Sequence, residues 1–472
     1  MLFRRQKVVV QQPSSDPIVG RIYSAPSTQP PVDQMTRKHS RGLKLFIWGL
    51  VILILGSVSW VTVAGMIAFR NISAKNSGDQ SSFFRYNGDI PPDQLLGEGD
   101  SRINILSLGI DAAAGLTDSI QVISIDPVNK TLSMLAVPRD LYVMNTAENR
   151  KTKINEVYNS GLTSCLNKKP ACDPNVDAGG ELMKKTVSNL LGIKISYFTK
   201  IDFDGVKKIV DTLGGIQVNV DKPILDPFYP TPSGGYQTFR IAAGLQTMNG
   251  ETALKYSRSR ETTSDFDRAR RQQQVISAIR QKGLKLDILA NPKKVTDVIN
   301  TVGHNFKTDL QSNELYAVLR LVTQIDSAKT TTKVLDDAPD GPLKASTSPT
   351  GQFILVPKAG DNDWSDVQFI TETVMPEPYL IKESAHLQIV NATGRKTAGI
   401  DLKRKLTALG YVVIDVVEAK TIDKSSTISY ATNKPYTLAL LKRRFGLNPA
   451  SSKSLPVGTD IIFTIGSSFT LK

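Results

Sequence analysis

Ile103-Asn104-Ile105-Leu106-Ser107-Leu108-Gly109-Ile110-Asp111 opens the regular part of this chain, and its reading decides the fold. Ile103–Leu108 is a short apolar run bounded by turn residues, the pattern of a buried strand. Two more such runs follow, Gln121–Ile125 and Leu132–Val137. Helical stretches are predicted around Gly180–Leu191 and Gly205–Leu213, with strands near Tyr197–Phe203 and Ile216–Val220. Strands alternating with helices predict an α/β layered domain. Further helical tracts are expected at about Ser264–Leu289, Pro292–Val302 and Ser312–Thr323.

Outward from this block the character of the sequence changes. Thr330–Gly360 is rich in Thr, Ser, Gly, Pro and Asp and reads as the fraying end of the domain. After Ser384 a small second α/β unit is expected, with strands at His386–Val390, Tyr411–Val417 and Asp460–Ile465 and helices at Thr397–Ala408 and Pro435–Phe445. Upstream, Leu45–Phe69 holds 25 residues without a charge. At about 1.5 Å per residue that exceeds the roughly 30 Å hydrocarbon thickness, so one transmembrane helix is predicted. The run is too long for a signal-peptide core, and no clear A-x-A site follows it. Arg37, Lys38, Arg41 and Lys44 crowd its N-terminal flank, which puts the N-terminus in the cytoplasm and the rest outside the cell membrane. The division is a disordered tail at 1–44, a span at 45–69, a stalk at 70–98, a first domain at 99–330, a linker and domain end at 331–383, and the small unit at 384–472.

Composition narrows the function. The net charge is +14, of which residues 1–44 supply +6 and the remainder +8. A basic ectodomain suits anionic partners such as phosphates, wall polymers or lipid head groups, although many soluble domains carry such a balance. A 44-residue tail without a helix-turn-helix pattern argues against nucleic acid as a partner. His39, His304 and His386 lie far apart, and Cys165 and Cys172 lack a metal-ligand pattern, which argues against a histidine-based catalytic set and against zinc. The two cysteines are expected either as a local disulfide or as free thiols.

Asp111 sits just past the first strand and Asp118 just before the second, with small residues between them. Two carboxylates on one strand edge could hold Mg²⁺, and loop aspartates are also common turn formers. Read as a strand, Leu254-Lys255-Tyr256-Ser257-Arg258-Ser259-Arg260 would put Arg258 and Arg260 side by side on one face. Ser264-Asp265-Phe266-Asp267 is a capping-box pattern that starts a helix. On that helix Arg268, Arg271 and Gln272 share an arc with Val275 and Ile279, so two arginines turn inward near its N-terminus, where anions are favoured. Arg139, in Pro138-Arg139-Asp140, again follows a strand.

These segments, taken in order, resemble the LytR–CpsA–Psr family of cell-wall phosphotransferases. The resemblance runs through Asn104–Asp111, Thr117-Asp118-Ser119, Pro138-Arg139-Asp140, Lys153-Ile154-Asn155, Ile201-Asp202-Phe203-Asp204-Gly205 and Leu213-Gly214-Gly215-Ile216. It continues through Gly244–Gly250, Tyr256–Arg260, Asp265–Arg268 and Arg271-Gln272-Gln273. From about Ser384, with Val390-Asn391-Ala392-Thr393-Gly394, the tail looks like a LytR C-terminal domain.

The resemblance implies an α/β/α sandwich with a mixed central sheet and an apolar cleft for a polyprenyl chain. It implies a transferase that moves a glycopolymer from a polyprenyl diphosphate carrier to peptidoglycan in cell-wall assembly. By the same carry-over Asp111 and Asp118 would hold Mg²⁺ and take part in catalysis with Arg139. Arg258, Arg260, Arg268 and Gln272 would surround the pyrophosphate, with Arg271 supporting them. A non-catalytic binder of polyprenyl-linked wall polymers is the alternative. One departure stands out: relatives often carry arginines in the loop that here reads Ala112-Ala113-Ala114-Gly115-Leu116.

Overall fold

The structure is a computed structural model and describes residues 101–111, 115–167, 172–173, 176–231, 234–259, 264–288 and 291–470. The expected tail, span and stalk, the Ala112–Ala114 loop and Arg260 lie outside the described residues. Among the described residues no helix is long and apolar enough to cross a membrane.

The opening stretch is β1 (Ile103–Asp111), and it lies at the centre of a six-stranded mixed sheet. β2 (Leu116–Asp126) pairs antiparallel with it, and β3 (Thr131–Ala136) antiparallel with β2. β6 (Tyr197–Asp202) runs parallel on the other side of β1 and carries β11 (Phe306–Thr308) antiparallel at its edge. β12 (Thr330–Val334) closes the far edge, parallel to β3.

Side chains alternate along β1, so the two faces of the sheet meet different partners. Leu106, Leu108 and Ile110, with Ile120, Val122 and Leu135, are sealed beneath helices Ile154–Leu166, Ala178–Leu191 and Ser365–Val374. On the opposite face Ile103, Ile105, Ile125 and Leu132 pack against helix Ser312–Thr323. Each such leucine or isoleucine contributes roughly 1.5–3 kcal/mol of burial. Helices on both faces give the three layers expected.

A third core lies beyond the carboxyl ends of the strands. There β7 (Ile216–Val220) pairs antiparallel with β10 (Gly244–Met248), and β8 (Ile224–Pro230) with β9 (Tyr236–Ile241). Val218, Tyr229 and Phe239 pack with Val210, Tyr256 and Val275 from the neighbouring helices.

Residues 331–383, expected as a linker and domain end, are integral to the first core. Besides β12 they supply the antiparallel pair β13 (Leu343–Thr347) and β14 (Phe353–Pro357), and two helices, Ser365–Val374 and Pro378–Glu383. Leu335, Leu343, Leu355, Val367 and Met375 are buried in the same cluster as Leu106 and Leu108. Loop-like composition misled the sequence reading: Thr330-Thr331-Thr332 belongs to an edge strand on which Thr331 and Thr332 are exposed, a setting where β-branched residues are at home. A small hairpin of β4 (Tyr142–Asn145) and β5 (Arg150–Lys153) also escaped it. Cys165 and Cys172 are joined as a disulfide at the end of helix Ile154–Leu166.

The second unit has the expected elements. β15 (His386–Ala392) is flanked in parallel by β16 (Val412–Glu418) and β19 (Ile461–Gly466), with β17 (Thr427–Tyr430) and β18 (Ala450–Ser451) beyond β19. Helices Ala398–Ala408 and Pro435–Phe445 cover it through Leu402, Leu406 and Leu441.

Candidate functional site

The open end of the sheet is built from small residues. Ser107, Gly109, Ser119 and Thr199 line a cavity of about 620 Å³ on the face where Ile105 is buried deeper in the sheet. A Cβ added at Gly109 would lie 2.9 Å from that of Ser119, so the strands leave no room there for anything larger than glycine. The walls are apolar, supplied by Val206, Ile209, Val275, Ile276, Ile279 and Phe306. The polar end lies where β1, β3 and β6 finish, the edge at which open α/β sheets bind ligands.

A β-bulge brings the two aspartates together. Gly109 pairs with Ser119 and Ile110 with Thr117, which leaves Asp118 as the extra residue. Such a residue escapes strict alternation. Leu116, Asp118 and Ser119 therefore all line the cavity, as does Asp111 at the end of β1.

Charged side chains converge on these carboxylates. Arg139 Nη1 donates to Asp118 Oδ1 at 2.6 Å, and Arg139 Nε lies 3.6 Å from Asp140 and 3.7 Å from Asp265. Burial opposes its charge, but Asp265, Asp118 and Asp140 outweigh that and raise its pKa. Lys153 holds Asp140 at 2.8 Å. Arg258 lies 3.6 Å from Asp111 and stacks over the Phe203 ring at 3.8 Å. The stack fixes the guanidinium plane.

Arg258 reaches the cavity by a route other than the expected strand. Gly250–Arg258 is a helix, capped by Asn249, whose side chain accepts from Thr252 N. Gly250 is dictated by contact, since a Cβ there would sit 2.4 Å from the Lys207 carbonyl oxygen. Leu254 and Arg258 share a face because they are one helical turn apart, a spacing that also satisfies strand alternation.

The next helix, Asp265–Lys285, starts at the expected capping box of Ser264 and Asp267. Arg268 and Arg271 are both buried and Arg270 is exposed, as the periodicity requires. The two buried arginines differ in use. Arg268 lines the cavity with Gln272 and lies 3.3 Å from Asp265. Arg271 donates instead to the carbonyls of Tyr256 (2.8 Å) and Ser259, tying down the end of the preceding helix. It is not among the cavity-lining residues. Thus Asp111, Asp118, Arg139, Arg258, Arg268 and Gln272 come together, and Arg271 supports them from behind.

Sequence reasoning missed Phe203 and the linking role of Asp265 between Arg139 and Arg268. Asp265 had a legible signal, being one residue past the cap on an inward-facing turn; the stacking of Phe203 had none. Among the described residues no group of three or more His, Cys, Asp or Glu is placed to hold a metal. Asp111 and Asp118, both on the cavity wall, offer carboxylate oxygens, the donor type that a hard cation such as Mg²⁺ would take together with water and phosphate oxygens.

A model of the LytR_cpsA_psr family matches residues 67–341. The chain belongs to the LytR–CpsA–Psr family. It is 28% identical over 292 residues to the polyisoprenyl-teichoic acid–peptidoglycan teichoic acid transferase TagV of Bacillus subtilis, a match covering 59% of this chain and 68% of TagV. It is 30% identical over 220 residues to the TagU transferase of the same designation from Bacillus licheniformis, covering 46% of this chain and 62% of TagU. The crystal structure of Bacillus subtilis TagV aligns over 58% of this chain and 97% of that one, at 26% identity and a TM-score of 0.45. In this LytR–CpsA–Psr protein the matched stretch contains every cavity-lining residue named above.

Proposed function

We propose that this protein transfers a phosphate-linked glycopolymer from a polyprenyl diphosphate carrier to peptidoglycan. One observation carries the reading: an apolar cavity of about 620 Å³ ends at a cluster of guanidinium and carboxylate groups. That pairing suits a molecule with a hydrocarbon tail and a diphosphate head. The names of TagV and TagU support the same class of reaction. Residues 45–69 would hold the protein in the cell membrane with its N-terminus cytoplasmic and both folded units outside.

Phosphoryl transfer relies chiefly on positioning and on neutralising spread negative charge. Arg258, Arg268 and Arg139 present planar forks, which suit phosphate oxygens, and Gln272 adds an amide donor. Mg²⁺, when bound by Asp111 and Asp118, would supply further neutralisation of the diphosphate. An acceptor sugar hydroxyl attacks the glycan-side phosphorus, the bond to the bridging oxygen breaks, and polyprenyl phosphate leaves. The hydroxyl proton passes to a carboxylate of the pair, Asp111 or Asp118. Burial of the chain along Val206, Ile209 and Ile279 holds the head group at the polar end.

The test uses the full chain with Mg²⁺, a polyprenyl-diphosphate glycan and peptidoglycan. Polyprenyl phosphate should be released, and Arg258→Ala should slow release by about 10²–10³-fold. Release unchanged by Arg258→Ala would overturn the assignment. Lipid binding without Mg²⁺-stimulated release would favour the non-catalytic binder.

A further inference from the structure

The β8–β9 hairpin presents an apolar face that the cavity alone does not require. Its inner side chains Ile224, Tyr229 and Phe239 are buried in the third core. On its outer face Leu225 is 45%, Phe228 57% and Tyr236 71% exposed. Large apolar side chains rarely gather like this on a surface that faces only water.

Phe228 and Tyr236 belong to both environments. They pack edge to face with centroids 6.0 Å apart, and both also line the cavity. A register shift between Asp226 and Tyr229 frees Phe228 from strict alternation, so the ring is both exposed and at the cavity wall. Asp226 anchors the shift from inside, accepting from Ser259 Oγ at 2.7 Å and from Phe228 N at 3.1 Å. The apolar lining of the cavity is therefore continuous with the outside of the molecule through these two rings.

Charge agrees with one kind of partner. From Ile224 to Ile241 the sequence holds only Asp226, which is buried, and Arg240, which is exposed opposite Leu225. A face of aromatic and aliphatic side chains with a single cation suits the interfacial layer of a bilayer, where rings sit at head-group level and a cation meets lipid phosphates. We infer that the outer face of the β8–β9 hairpin seats on the lipid surface, so that a polyprenyl chain passes from the bilayer into the cavity along the packed pair of Phe228 and Tyr236. This rests on the lipid-carrier reading above.

Two measurements on the full chain in phosphatidylethanolamine–phosphatidylglycerol vesicles test it. In the first, a nitroxide is attached through Tyr236→Cys, with Arg404→Cys as the water-exposed control. Greater access of oxygen than of a soluble nickel chelate at the hairpin, relative to the control, supports the proposal. Equal accessibility at both positions overturns it. The second uses Leu225→Glu/Thr238→Glu, which charges the outer face without touching cavity-lining residues. Turnover of a long-chain carrier in the vesicles should fall about tenfold or more, while turnover of a short-chain, water-soluble prenyl diphosphate glycan stays the same. Equal loss on both substrates, or on neither, overturns the docking. If the unaltered chain turns over neither substrate, the functional reading fails, and the nitroxide result still decides the docking.

Discussion

The two faces of β1 begin alike and end differently. On one face Leu106, Leu108 and Ile110 are closed over by three helices. On the other, Ile103 and Ile105 are closed over in the same way, but Ser107, Gly109 and Asp111 are left lining a cavity. One strand thus encodes a sealed core and an open site, and the switch from large to small side chains at Ser107 marks where sealing stops. On the proposed function, stability belongs to the sealed face and binding to the open half of the other, a division that can be tested.

The largest effect is expected on the sealed face. Leu108→Ala should cost about 2–5 kcal/mol in chemical denaturation while leaving activity per folded molecule near normal. If the loss fell on activity instead, the faces would not be separate. Next, Arg268→Ala at the open end should slow transfer by about 10²–10³-fold with little change in denaturation midpoint. A smaller effect is expected from Ser107→Leu, which extends the apolar seal into the cavity. Affinity for a long-chain carrier should weaken by roughly tenfold, while stability changes by less than about 1.5 kcal/mol.

The smallest effect is a pH slope. Burial raises the pKa of Asp309 to about 6, against the pull of Lys184 at 2.5 Å. The folded chain then binds this proton more tightly than the unfolded chain does. Its contribution is fully present below the ordinary aspartate pKa and is lost as pH rises through about 6. Denaturation curves should show stability declining across that window, and Asp309→Asn should flatten the slope.

The strands and helices of the central sheet were legible because their apolar runs are short, bounded and buried. Inward placement of Arg268 followed from its phase with Val275, a signal that burial confirms. Two things were not legible. The Leu254–Arg258 stretch satisfies both a two-residue and a four-residue spacing, and only the tertiary fit of Gly250 against Lys207 selects the helix. Likewise Arg268 and Arg271 have the same periodicity, and nothing local says that one would serve the cavity and the other the backbone of Tyr256 and Ser259. Partner choice across the fold is decided by atoms distant in sequence.

Helix Ser365–Val374 belongs to two cores at once: Val367 lies among the residues that seal the sheet, and Phe369 packs against the second unit. Arg102 reinforces the tie by donating to the Pro376 carbonyl at 3.2 Å. Cutting the chain between 357 and 365 would therefore break the covalent tie between β1 and the helix that roofs it, leaving Val367 and Met375 held there by packing alone. Proteolytic nicking in that interval should weaken carrier binding from the far side of the sheet, although no residue from 357 to 365 lines the cavity of about 620 Å³.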